Sequence, residues 1–246
     1  MTKPVFIDTH CHIDQYEEPL TIIRSLDTTA IVAIAVTTSP SAFVQLRRRF
    51  ADERHLRFAL GVHPLHAAAL VGSEWAIFNR CLAETRYVGE VGLDFSPQGI
   101  SSRTEQERAF RRVLQAVAGS DKVLSIHSRR AEATVLELLI EFKARPAVFH
   151  WYSGPLGVLD QVLRAGHYCS LNPAMVRSAH GQKVIGRLPK ERVLVETDGP
   201  YVKIGGRPAT PKDIDLVYRY LSEHWGQSLS QVIEQVYSNF QTLLAR

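Results

Sequence analysis

A chain of 246 residues matches the ~250 that a closed α/β barrel needs, with no remainder for a second domain. Apolar residues at 45% and charged residues at 22% supply a large core and exclude general disorder, while 29 Lys and Arg against 25 Asp and Glu leave +4, too small a surplus to argue for bulk electrostatic attachment to duplex DNA. The longest apolar runs, such as 31–36, fall far short of the ~20 residues of a membrane span, and no basic region followed by an apolar stretch opens the chain, so a soluble, cytoplasmic protein with no membrane partner is expected.

Short aliphatic or β-branched runs alternate with stretches of helical spacing, the pattern of parallel strands joined by crossover helices. The first predicted strand, 5–9, runs into Asp8-Thr9-His10-Cys11-His12. Side chains alternate across a strand, so Asp8, His10 and His12 share a face and two imidazoles can bind one ion; a surface turn with incidental histidines is the alternative. Cys11 points to the other face as a packing residue. With Cys81 and Cys169 it makes an odd set without Cys-x-x-Cys spacing, which fits a reducing compartment. After a second strand at 31–36, a third at 57–62 leads into His63-Pro64, where His63 either faces substrate or is a satisfied loop histidine. The fourth, 87–91, lies within Gly89-Glu90-Val91-Gly92-Leu93-Asp94. A carboxylate inside an apolar strand is costly unless paired with cations, so Glu90 reads as a bridge between two ions or as the partner of an arginine across the barrel. Asp94 reads as a cap for the next element.

A helix is predicted over 103–119, with Phe110, Val113, Leu114 and Val117 forming one apolar stripe. The fifth strand, 122–126, precedes His127 and then Arg129, which could fork onto a phosphate or lie solvated in the first turn of a helix. The sixth, 147–150, ends on His150, followed by Trp151 and Tyr152, and the seventh covers 167–171. The eighth, 192–196, precedes Asp198, which is placed to bind an ion and accept a proton from water, or to cap the segment that follows. Glu196, on the same face, reads as its support. A capping box at Ser228 and Gln231 opens a last helix whose apolar face closes the domain. Eight β/α units predict a (β/α)8 TIM barrel as one domain over 1–246, with a distorted or seven-stranded barrel as the variant.

Active sites of such barrels lie at the carboxyl ends of the strands, where His10, His12, His63, Glu90, His127, His150 and Asp198 all fall. The predicted ligand sets are His10, His12, Glu90 and Asp198 for one divalent ion and Glu90, His127 and His150 for another. Mixed imidazole and carboxylate donors accept zinc, manganese or iron, with magnesium less natural. Two ions roughly 3.5–4 Å apart suit displacement at phosphorus. Nucleotide-triphosphate, serine-hydrolase and dinucleotide readings have no motif behind them.

Asp8 to His12, Gly61 to Pro64, Gly89 to Asp94, His127 with Arg129, His150 to Gly154, Glu196 to Tyr201 and Asn239-Phe240 together closely resemble the TatD-like metal-dependent deoxyribonucleases. The resemblance implies a barrel of the amidohydrolase superfamily and divalent-metal-dependent hydrolysis of DNA, commonly as a 3′→5′ exonuclease preferring single strands. It also implies that Glu90 replaces the carbamylated lysine found elsewhere in that superfamily; His63, Arg129, Trp151 and Tyr201 are the expected substrate contacts. The sequence departs from the family at 201–211, where a longer basic loop with an Arg-Asn-Glu-Pro element is usual, and at Trp151 and Tyr152, whose rings could stack on unpaired bases or pack the rim. This abbreviated form is similar to QatD, the TatD-like member of the bacterial Qat anti-phage system, which implies protein partners encoded beside it. Two other classes fit the same ligands: an amidase or esterase on the same scaffold, and a partner-docking protein with a structural metal site.

Overall fold

Apolar runs covered on both faces form parallel strands, and the computed structural model, which describes residues 5–245, arranges eight of them in sequence order. They are β1 (Phe6–Cys11), β2 (Ile31–Ala35), β3 (Leu56–Phe58), β4 (Tyr87–Gly92), β5 (Val123–His127), β6 (Val148–His150), β7 (Tyr168–Leu171) and β8 (Val193–Val195). Each starts within one residue of its predicted start. The crossovers carry helices α1 (Pro19–Thr29), α2 (Pro40–Phe50), α3 (Gly72–Cys81), α4 (Arg103–Val117), α5 (Glu132–Glu141), α6 (Leu156–Arg164), α7 (Pro173–Arg177) and α8 (Ala179–Ile185), and α9 (Asp215–Trp225) and α10 (Leu229–Ala245) follow β8. The predicted stripe of α4 is buried, and Ser228 and Gln231 form the expected capping box at the start of α10. Among the described residues no helix is long and apolar enough to cross a membrane.

The barrel is distorted at two seams, and the seven-stranded variant is set aside. Continuous ladders join β1-β2-β3 and β4-β5-β6-β7-β8, while β3 and β4 meet only through bridges at Ala59 with Tyr87 and Val62 with Val91. β3 ends at Phe58, short of the predicted 62: Ala59, Leu60 and Val62 N–H still donate to Ala35 O, Tyr87 O and Glu90 O, but the ladder is interrupted by the Thr37 hydroxyl. That hydroxyl donates to Ala59 O at 2.9 Å and accepts from Gly61 N–H at 3.0 Å. Gly61 must lack a side chain, since a Cβ there would lie 1.6 Å from Thr37 O. The second seam, between β8 and β1, is closed largely by side chains. Thr9 Oγ1 donates to Val195 O at 3.0 Å, and Asp8 accepts from Thr197 N–H at 3.0 Å and from its hydroxyl at 2.5 Å. Asp198 N–H then donates to His10 O at 2.9 Å, so the segment after β8 is pinned onto the end of β1.

The amino-terminal end is closed by α10. Asn239 Nδ2 donates to Lys190 O and Val193 O, and Phe240 stacks on Tyr87 with ring centroids 6.3 Å apart. The carboxyl end is left open, with the β/α turns around it.

Candidate metal centre

Six predicted ligands, His10, His12, Glu90, His127, His150 and Asp198, converge at the carboxyl end of the barrel, and all but His127 are buried. The geometry follows from strand alternation and from the pinned seam, which sets Asp198 beside β1. Asp198 sits at φ 48°, a conformation uncommon outside glycine, and is held there by its bond to His10 O and by the turn in which its own carbonyl accepts from Tyr201 N–H. Gly92 ends β4 at φ 139°, where a Cβ would lie 2.0 Å from His127 O.

Glu90 is the centre of the arrangement, and its two oxygens face different groups. Oε1 lies 2.5 Å from His127 Nδ1 and 2.9 Å from His150 Nε2. Oε2 lies 3.3 Å from His12 Nε2 and 3.6 Å from both His10 Nε2 and His63 Nε2. Asp198 Oδ1 approaches the same pair from the other side, 3.7 Å from His10 Nε2 and 3.6 Å from His12 Nε2. Among the described residues Glu90 pairs with histidines and with no arginine, so that alternative falls.

The charges of this cluster are mutually dependent. Burial opposes the Glu90 carboxylate, yet His63, His150 and His127 hold its pKa well below the ordinary value. Burial pushes Asp198 up to about 7, with His150 and His12 opposing the rise and Glu196 and Glu90 adding to it. Burial brings His10 down to about 4, helped by His150. His150 itself is raised well above its ordinary value despite burial, because Glu90 and Glu196 face it.

The residues fit divalent ions. His10 Nε2 and His12 Nε2 face each other at 3.2 Å, where two N–H groups cannot both fit, so at least one of them presents a lone pair. His12 Nδ1 is buried without a partner. The distal nitrogens of two imidazoles are hydrogen-bonded from behind, His10 Nδ1 with Ser125 Oγ at 2.8 Å and His127 Nε2 with Asp94 Oδ2 at 2.9 Å, while His150 Nδ1 lies 3.4 Å from Glu196 Oε1 without a hydrogen bond. This is how proteins fix the tautomer of a metal-binding histidine. Among the described residues, three groupings bring donor atoms within 4.8 Å of one another: His10, His12 and Asp198; His10, His150 and Glu196; and His63, Glu90 and His127.

Several expectations change. His63, expected to face substrate or satisfy a loop, stands as close to Glu90 as His10 does, and its Nδ1 also accepts from Leu65 N–H at 3.2 Å. Asp94, expected as a cap, accepts from Ser96 N–H at 2.8 Å and also orients His127. Burial works against its charge, but bonds from His127 and Ser96 lower its pKa to about 2. Asp8 faces Thr197 rather than the imidazoles. Tyr152 does not reach the mouth: it is buried against Phe149, with its hydroxyl donating to Pro155 O at 2.8 Å. Cys11 packs, as expected, with Sγ 3.6 Å from Ile34 O.

Above the cluster opens a cavity of about 620 Å³, lined by His63, Arg129, Trp151 and Tyr201 among others. Arg129 is exposed on the rim, 3.4 Å from Gln98 Oε1. The segment after Tyr201 forms a small hairpin, β9 (Lys203–Ile204) and β10 (Arg207–Pro208), turned by Gly205 and Gly206 at φ 56° and 86°.

The family model described as TatD related DNase matches residues 7–245. The chain belongs to that family. TatD relatives include the human "Deoxyribonuclease TATDN3", 27% identical over 258 residues that cover 95% of this chain and 92% of that protein. A human "3'-5' RNA nuclease TATDN2" is 28% identical over 218 residues, 80% of this chain and 28% of that one. The crystal structure of YJJV, a TatD homologue from Escherichia coli K12, superposes with a TM-score of 0.88 at 23% identity, covering 98% of both chains. TatD relatives are also named as metal-dependent hydrolases, as in Methanocaldococcus jannaschii, and the chain is a metal-dependent hydrolase of the TatD family.

Proposed function

We propose that this TatD enzyme hydrolyses phosphodiester bonds of DNA, acting on single strands as a 3′→5′ exonuclease. The division of the two Glu90 oxygens between two histidine groups carries the reading, because a bridging carboxylate is what a two-ion phosphodiesterase requires. His10, His12, Glu90 and Asp198 would hold one divalent ion and Glu90, His127 and His150 the other. Their imidazole-rich donors suit manganese or zinc better than magnesium. Two such ions supply Lewis acidity, a water pKa lowered toward ~7 and neutralisation of charge on phosphate oxygens. Asp198, buried beside His10 and His12, accepts the proton of the attacking water. His63 and Arg129 steer the phosphate, and Trp151 and Tyr201 meet the nucleoside end.

Cytoplasmic residence is supported by three free, buried cysteines, Cys11, Cys81 and Cys169. The short 201–211 segment, with its resemblance to QatD, supports a role in anti-phage defence with partner proteins encoded beside this chain. Phage plating on cells carrying wild type or Glu90→Gln, each with those neighbours, reads that role as protection that is lost with the variant.

The chemistry is tested by incubating metal-loaded protein with 5′-labelled single-stranded DNA, duplex DNA, RNA of the same sequence, small amides and lactones. A ladder shortening from the 3′ end of single-stranded DNA is the expected result. Hydrolysis of amides or lactones alone would replace the proposal with the amidohydrolase alternative, and faster cleavage of RNA would move it to the substrate printed for the TATDN2 relative.

A further inference from the structure

Large aromatic side chains are normally buried, and two at the mouth of this barrel are not. Trp151 is 37% exposed and Tyr201 is 53% exposed, and both line the cavity above the histidine and carboxylate cluster. Each sits on the same turn as a proposed ligand. Trp151 directly follows His150 in a left-handed conformation, φ 39°, which costs a non-glycine residue energy and persists only when its surroundings enforce it. The enforcing contact is Glu196 Oε1, which accepts Trp151 N–H at 3.0 Å. That carboxylate is fully buried and also binds Ser170 Oγ and Asn172 Nδ2 while facing His150 Nδ1. Tyr201 closes the turn after Asp198, its N–H donating to Asp198 O at 3.0 Å, and its ring meets His12 edge-on with centroids 4.9 Å apart.

We infer that Trp151 is the base platform of this site, a flat face held at fixed height over the cluster to receive one unpaired terminal base, with Tyr201 as the second ring of the mouth. This rests on the DNase reading and deepens it by naming what selects the substrate. A paired base within a duplex has both faces covered by its neighbours, so a single stacking face rewards a frayed or single-stranded end and is indifferent to which base arrives. The Glu196 anchor gives the platform its rigidity, since a carboxylate that is itself buried and hydrogen-bonded holds the Trp151 backbone.

The test compares two single-stranded oligodeoxynucleotides that differ only in carrying ordinary or abasic residues at both ends. Binding is read by anisotropy in EDTA, and turnover with metal supplied. Wild type is expected to bind the ordinary oligonucleotide more tightly, and Trp151→Ala to weaken its binding and raise its KM by about 5- to 100-fold, with kcat and metal content retained. Trp151→Phe should restore most of the affinity, and Tyr201→Ala should show a smaller loss of the same kind. Equal affinity of wild type for the two oligonucleotides, or an equal loss on both in Trp151→Ala, overturns the platform while leaving the DNase reading in place. Base-dependent binding without cleavage of any DNA would instead overturn the DNase reading and leave the platform standing.

Discussion

The two ends of the barrel each bury a histidine on neighbouring strands, with opposite results. At the amino-terminal end of β7, His167 Nδ1 accepts Ala147 N–H at 3.0 Å; burial, reinforced by Arg192, brings its pKa down to about 4. At the carboxyl end of β6, His150 is just as enclosed but lies between Glu90 and Glu196, and its pKa is raised well above the ordinary value. Burial alone keeps an imidazole neutral and gives it a structural bond. Carboxylates on both sides turn the same residue into part of a site that calls for positive charge. The apolar plug of Phe240 and Tyr87 at one end and the polar cluster at the other are thus separable, one holding the fold and the other the chemistry.

Glu90→Gln gives the hardest test of that separation. It keeps the shape of the side chain and removes the charge that both histidine groups share. Turnover and bound metal should fall by more than the ~10- to 100-fold typical of losing an outer partner of a ligand, while the far-ultraviolet circular dichroism stays unchanged. Retention of both metal and turnover would mean the cluster is only a polar end to the barrel. Phe240→Ala makes the opposite change. It should cost on the order of 3 kcal/mol in urea unfolding, with turnover per folded molecule and metal content unaltered. A matching loss of metal would show that the two ends are coupled.

The cluster at the carboxyl end is legible in the sequence because strand alternation and the strand-end rule need only local spacing. His10 and His12 on one face, Glu90 within an apolar strand and His127 and His150 closing theirs are all local facts. Contacts made across the barrel were not local. Nothing in Gly61-Val62-His63 indicates that His63 Nε2 comes as near to Glu90 as His10 does, and nothing near Asp94 points to His127, 33 residues on. Asp8 shares the strand face of His10 by count, but Thr197, brought alongside at the seam, captures its carboxylate. Trp151 and Tyr152 are adjacent, and only the left-handed turn at Trp151 decides that the first ring faces the cavity and the second the core. β3 is shorter than its apolar run because the Thr37 hydroxyl takes Ala59 O and Gly61 N–H out of the strand ladder.

A smaller effect sharpens the cluster from outside. Asp94 Oδ1 accepts Ser96 N–H and Oδ2 faces His127 Nε2. In Asp94→Asn the amide oxygen keeps the Ser96 bond, so the amide nitrogen faces Nε2 and drives the imidazole proton onto Nδ1, the atom beside Glu90. Metal affinity, measured by competition with a chelator, should fall ~10- to 100-fold with little change in melting temperature. An unchanged affinity would leave Asp94 as a cap alone.

The smallest effect belongs to the other end. The folded pKa of His167, about 4, lies below the ordinary 6.5, so the unfolded chain takes up its proton first as the pH falls. Its contribution is fully present above pH 6.5 and is lost progressively from there through pH 4. One pH unit below 6.5, at pH 5.5, the loss is on the order of 1 kcal/mol. His167→Asn places an amide oxygen where Nδ1 accepts Ala147 N–H and removes the titration. The difference in unfolding free energy between wild type and variant should therefore shift by about that amount, in favour of the variant, between pH 7.5 and pH 5.5 in urea. The histidines of the mouth titrate in both proteins and cancel in the comparison. A difference that stays constant with pH would mean that His167 takes up a proton in the folded state as readily as in the unfolded one, and burial at the plugged end would no longer suffice to keep an imidazole neutral.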